Sequence, residues 1–262
     1  MTGLPAEVSV YYRSLGGPDS ALVKPDVRMH AASTMKVPVL IQLVLDDAGG
    51  RLHLTDSLEV TNAFTSIVDG SAYALDPGSD SDSTLYGRVG ERVRVLDLAE
   101  LMVTWSSNLA TNVLIREVDA ARVTATMRGL GADSIEVLRG VEDMPAFEAG
   151  LSNTTTARDM GVIMSALGWG RVGGAEASAA MLDILARQHF REMIPAGVPA
   201  GTRVANKGGW ITGIRHDVAV VFPEGHPPYA LVVLTRGFED VTDAEATAAR
   251  VSRIVHAHHI SS

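Results

Sequence analysis

The sequence predicts an α+β fold: one antiparallel sheet built from both chain ends, flanking helices, and an inserted all-helical domain. Three observations carry this. Runs rich in β-branched and aromatic residues sit at the two ends of the 262-residue chain. The long stretch between them has helical apolar spacing. The last segment is amphipathic and suited to cover one face of a sheet. The expected division is a sheet domain from residues 1–32 and 188–262 and a helical domain from 33–187.

Glu7-Val8-Ser9-Val10-Tyr11-Tyr12 reads as the first strand. A Gly16-Gly17-Pro18-Asp19 turn leads to a second run from Ala21 to Val27. A helix is expected from Ser33 to about Asp46, and helical spacing recurs over Leu96–Thr104 and Asn108–Val118. Thr154-Thr155-Thr156 precedes Met160, Ile163 and Met164 and reads as a helix start with a threonine N-cap. Ala177–Phe190 reads as a further helix. Thr202–Asn206, Asp217–Phe222 and Ala230–Thr235 are short, β-branched and separated by Gly and Pro, as three antiparallel strands would be. Asp240 to about His258 closes the chain, with Ala244, Ala248, Val251, Ile254 and Val255 on one face. Pro77–Ser83 is the low-complexity stretch; it lacks the spacing and terminal glutamate of an EF-hand and reads as a solvated loop.

Composition narrows the function. With 46% hydrophobic residues the chain can bury a full core, and its net charge of -9 argues against a nucleic-acid partner. No cysteine is present, which excludes disulfides and thiolate metal sites. The histidines at 189, 256, 258 and 259 form no metal-ligand pattern, so no metal and no cofactor are expected. The longest apolar run, Val37–Leu45, is broken by Gln42 and too short to span a bilayer. Met1–Pro5 leads almost at once into a strand, so no signal peptide is visible.

The chemistry centres on Ser33-Thr34-Met35-Lys36. A serine and a lysine three apart on a helix share a face, so the amine can reach the hydroxyl and activate it. The helix N-terminus adds partial positive charge and unpaired N–H groups that suit a developing oxyanion. Alone, the pattern is weak, and Ser33 would serve equally well as a helix cap and Lys36 as a surface lysine. Two further segments change that: Trp105-Ser106-Ser107-Asn108 and Lys207-Gly208-Gly209-Trp210.

S-x-x-K, S-S-N and K-G-G, in that order, resemble the S-x-x-K, S-D-N and K-T-G of class A β-lactamases and penicillin-binding proteins. Ala32–Pro38 and Ile194–Gly201 share the likeness, which covers about Val8 to His256. The resemblance implies a class A β-lactamase-like serine hydrolase, with its active site in the cleft between the two domains. It implies an acyl-enzyme on Ser33, Lys36 as base, and Ser106 as proton shuttle to the leaving nitrogen. Asn108 would bind the substrate amide and orient Lys36. Lys207, Gly208, Gly209 and Trp210 would edge the cleft, and the backbone N–H groups of Ser33 and Trp210 would form the oxyanion hole.

The chain departs from the family pattern in several places. Ser107 replaces an aspartate, and Gly208 replaces a hydroxyl that grips a substrate carboxylate; Arg215 or His216 could supply charge instead. Glu142 falls where the deacylating glutamate belongs, but Ala146 stands in place of an asparagine four residues on, and the loop is short. Glu148 is the second candidate base, Asn153 could supply the missing amide, and Glu142 could instead pair with Arg139. There is almost no room for the family's N-terminal helix. The resemblance implies export to the periplasm or outside the cell, which leaves the location open without a visible signal.

The expected partner is a small molecule, a β-lactam or a peptidoglycan-like acyl donor, met by a monomer. A D-alanyl carboxypeptidase, transpeptidase or esterase on the same fold is the first alternative. A binding protein without turnover is the second, and the presence of Ser33, Lys36, Ser106 and Lys207 together argues against it.

Overall fold

A computed structural model describes residues 6–261; the reading of Met1–Pro5 lies outside them. Its central sheet has five strands: β1 (Glu7–Ser14), β2 (Ser20–Val23), β3 (Arg203–Ile211), β4 (Ile214–Phe222) and β5 (Tyr229–Arg236). Their order is β2-β1-β5-β4-β3, every neighbour antiparallel, so both chain ends do meet in one sheet.

Strand alternation explains how this sheet is covered on both faces. Val218, Val220, Val232 and Leu234 join one core with the helices of the middle segment. Ala219, Val221, Leu231 and Val233 join a second core with Ile194 and with Ala248 of the last helix. Two buried faces account for the near-continuous apolar runs in β4 and β5, where a half-solvated strand would alternate.

The helices are α1 (Lys36–Ala48), α2 (Val95–Thr104), α3 (Asn108–Val118), α4 (Ala120–Gly129), α5 (Met144–Glu148), α6 (Ala157–Gly168), α7 (Ala175–Ala186) and α8 (Val241–Ser261). Thr156 caps α6 as its position implies, accepting the Asp159 N–H at 3.0 Å. α7 starts two residues earlier and stops four residues sooner than its periodicity suggested. The expected helix from Ser33 is divided: Ala32–Met35 is a 3₁₀ turn, and α1 begins at Lys36. Ala32 itself has φ +46°. Such a turn is a common entry to an α-helix.

Candidate active site

The site lies where the turn before α1, the start of α3, the edge strand β3 and the loop before α5 converge. Each contributes one group. Gly209 lets β3 approach the serine: a Cβ there would lie 2.8 Å from the Thr34 nitrogen and 2.9 Å from that of Ser33, contacts no side chain could hold. Lys207, two residues before, points its amine from the same side of the strand.

Ser106 joins the two lysines. Lys36 Nζ donates to Ser106 O at 2.6 Å, Ser106 Oγ at 3.1 Å and Asn108 Oδ1 at 2.9 Å. Lys207 Nζ donates to Ser106 Oγ at 3.0 Å and to its own neighbour's carbonyl, Gly208 O, at 2.7 Å. The direct Lys36–Ser33 contact expected from one-turn spacing is not among these bonds; the amine's contacts run to the segment that starts α3. Both lysines are fully buried. Burial lowers Lys36 to about 7, against the opposing pull of Asp80 and Glu142. Burial, and then the Lys36 charge, hold Lys207 well below the usual lysine range.

Glu142 is drawn into the same network. Asn108 Nδ2 donates to Glu142 Oε1 at 2.7 Å. Burial raises the Glu142 carboxyl, with the Asn108 bond opposing it. Asn112 holds its loop: Val141 N donates to Asn112 Oδ1 at 2.6 Å, and Asn112 Nδ2 donates back to Val141 O at 3.0 Å. A Cβ at Gly140 would collide with Asn112 Oδ1 at 2.3 Å, so glycine lets the loop backbone close on the Asn112 side chain. Ala32, Ser106 and Glu142 are three of the five non-glycine residues with positive φ among those described. Each such residue costs on the order of 1–3 kcal/mol and is held by its surroundings.

Several expectations need correction. Glu148 is exposed at the end of α5 and does not line the cleft. Asn153 offers no amide to Glu142: its Oδ1 accepts from Leu138 N and Arg139 N, and its Nδ2 donates to Arg139 O. Arg139 does not pair with Glu142, since it donates to the carbonyls of Leu151 and Gly140. His216 is buried in the sheet, donating Nε2–H to His30 O and accepting Thr235 N–H at Nδ1. Burial lowers its pKa to about 4, so it brings no charge to a ligand. Arg215 lies below the Trp210 ring, 5.6 Å from its centroid and 3.5 Å from Glu245, and does not line the Ser33 cleft.

The Pro77–Ser83 stretch is more than a solvated loop. Asp80 accepts the N–H groups of Asn108 and Leu109 at 2.9 Å and the Tyr86 hydroxyl at 3.0 Å. It thus serves the free N–H groups at the start of α3. Ser107 caps the same helix through its own hydroxyl, accepting from Ala110 N at 3.3 Å. Ser79 and Ser81 line the cleft with Ser33, Glu142, Trp210 and Thr212, around a volume of about 610 Å³. Asn112 was legible as a polar residue one turn beyond Asn108. Asp80's role at α3 had no local signal, since the N–H groups it serves there lie 28 and 29 residues away. Among the described residues no group of three or more His, Asp or Glu could hold a metal, and no helix is long and apolar enough to cross a membrane.

Comparison with known proteins supports the family and the fold. A model of the Beta-lactamase enzyme family matches residues 2–259. Beta-lactamase Toho-2 of Escherichia coli is 28% identical over 183 residues, 65% of this chain and 63% of its own length. The chain thus spans less than two thirds of that relative. A beta-lactamase of Bacillus amyloliquefaciens is 25% identical over 248 residues, 92% of this chain and 74% of its own. Among solved structures, the beta-lactamase from Sphaerobacter thermophilus DSM 20745 superposes with TM-score 0.84 at 25% identity, covering 98% of this chain and 93% of that one. A PBP-A mutant in an acyl-enzyme complex with penicillin G also reaches TM-score 0.84 at 25% identity, covering 98% and 91%.

Proposed function

The chain belongs to the beta-lactamase enzyme family of serine hydrolases, and we propose that it opens β-lactam amides through an acyl-enzyme on Ser33. One observation carries the reading: an unbroken line of hydrogen bonds from Lys207 through Ser106, Lys36 and Asn108 to Glu142.

Neutral Lys36 takes the Ser33 proton, and Oγ attacks the lactam carbonyl. The N–H groups of Ser33 and Trp210 receive the oxyanion. As the C–N bond breaks, Ser106 gives its proton to the leaving nitrogen and regains one from the Lys36 ammonium. Lys207 keeps the Ser106 hydroxyl in position. In the second half, the Glu142 carboxylate takes a proton from water, the resulting hydroxide adds to the ester, and Ser33 departs with that proton. A Lys36 pKa of about 7 supports its part, because an ordinary lysine would be almost wholly protonated at neutral pH.

A second reading has its own support. Ala146 is buried and has no side-chain amide, and Asn153 is committed to backbone groups, so among the described residues the side-chain amide bonded to Glu142 is that of Asn108. A penicillin-binding enzyme with slow deacylation would fit that arrangement. The two separate on a gel of a fluorescent penicillin run beside a chromogenic cephalosporin assay. Fast cephalosporin loss without a lasting label is expected. A persistent label favours slow deacylation, and neither signal removes both readings.

A further inference from the structure

Ser33 can offer its N–H to an oxyanion only if no other acceptor takes that group and the turn bearing it is held still. Ala32, just before it, is buried and lies in the left-handed region at φ +46°, which an alanine rarely adopts. The N–H groups around Ser33 are committed. Ala31 N donates to Asn153 O at 2.8 Å, and Thr34 N donates to Ala31 O at 3.1 Å. Ala32 N donates to a side chain, His30 Nδ1, at 3.0 Å. Among the described residues no acceptor takes the Ser33 N–H.

His30 is itself fixed from three sides. It pairs with Thr154 in a two-residue antiparallel ladder. Its carbonyl accepts from His216 Nε2 at 3.0 Å, and its ring meets Phe147 edge-on, with centroids 6.1 Å apart. Because His30 Nδ1 accepts an N–H, that nitrogen carries no proton. Burial, and then the Arg139 charge, lower His30 to about 4, so the lone pair is available at neutral pH. A carbon in place of Nδ1 would leave the Ala32 N–H without its acceptor and the left-handed turn without this tie.

We propose that His30 is a positioning residue for the oxyanion hole: its imidazole ties the Ala32 N–H and so aims the Ser33 N–H at the oxygen of the reacting carbonyl. The inference rests on the Ser33 acyl-enzyme reading above. Acylation and deacylation each develop an oxyanion in the same place, so both steps depend on this tie. Single-turnover kinetics with benzylpenicillin on His30→Leu and His30→Asn test it, with the thermal midpoint of each variant measured alongside. Leucine has no acceptor, whereas asparagine brings Oδ1 within reach of the N–H two residues on, as in an Asx-turn. His30→Leu should lose about 10²-fold in both steps, the order of one oxyanion-hole donor, with the encounter dissociation constant within about 3-fold of the parent's. His30→Asn should bring both steps back to within about 10-fold of the parent. Parent-like acylation in His30→Leu overturns the proposal, as do equal losses in the two variants. A loss confined to deacylation also overturns it, because His30 would then act through Phe147 on the Glu142 loop. Should His30→Leu not fold, His30→Asn decides alone: near-parent rates support the tie, and a folded variant about 10²-fold slower in acylation overturns it. A parent that benzylpenicillin does not acylate overturns the Ser33 reading, and this inference with it.

Discussion

At the scale of single residues, acylation turns on how Lys36 is kept partly neutral. Burial lowers its pKa, and the carboxylates of Asp80 and Glu142 raise it. The neutral form is the one that accepts a proton, so acylation should rise with pH through about 7. Removing a carboxylate that favours the ammonium lowers the lysine pKa further. Asp80→Asn should therefore move the acid limb of acylation to lower pH, while the amide oxygen still serves the Asn108 and Leu109 N–H groups. The pH profile of acylation kcat/KM checks this. A limb that stays in place or moves upward would take Asp80 out of the electrostatics of Lys36.

At the scale of elements, the loop bearing Glu142 depends on α3 more than on itself. Asn112 accepts from the Val141 N–H and, together with the Tyr73 hydroxyl, donates to its carbonyl, and it fills the space against Gly140. Asn112→Ala takes the acceptor from the Val141 N–H, at a cost of roughly 1–3 kcal/mol. It should slow deacylation by about 10²-fold through misplacement of the base, with acylation changed only a few-fold. Single-turnover kinetics separate the two steps. An equal loss in both would mean that Asn112 supports α3 in general and not the loop. The start of α3 explains why sequence reading reached one half of this unit and not the other. Ser106 and Asn108 stand in a local motif, and their helix has the spacing of any amphipathic helix. Asp80 reaches them across a loop whose composition resembles solvent-exposed sequence, and no periodicity encodes that contact. For the same reason, Asn153 could be named as a candidate but not placed, because its partners are backbone atoms.

For the molecule as a whole, patterning over many residues was legible and side-chain direction at the sheet was not. Strands at both ends, helices between them and the covering C-terminal helix follow from periodicity. Arg215 and His216 are adjacent in β4, so alternation sends them to opposite faces, one into the core and one against α8's Glu245. Buried charge in the same strand leads to a stability prediction. Burial raises Asp217 to about 7, even though it accepts bonds from Asn206 Nδ2 and Ile194 N at 3.0 Å. The folded state then keeps a proton that the unfolded chain releases near pH 4, so this group's contribution falls as pH rises from about 4 to about 7. Asp217→Asn lacks that loss, although its NH2 takes the place of one of the two oxygens that accept from Asn206 Nδ2 and Ile194 N, a cost that does not vary with pH. The variant's thermal midpoint should gain on the parent's between about pH 4 and about pH 8. A difference that does not change with pH would place the ionisation of Asp217 outside this window.

The claim on which the rest depends is a covalent intermediate on Ser33 that Glu142 clears. Intact-mass spectrometry after mixing with benzylpenicillin tests it in one experiment on three proteins. The parent should show an adduct that forms and disappears, Glu142→Ala an adduct that persists for hours, and Ser33→Ala no adduct at all. An adduct on Ser33→Ala, or one whose lifetime in Glu142→Ala equals the parent's, would contradict the account.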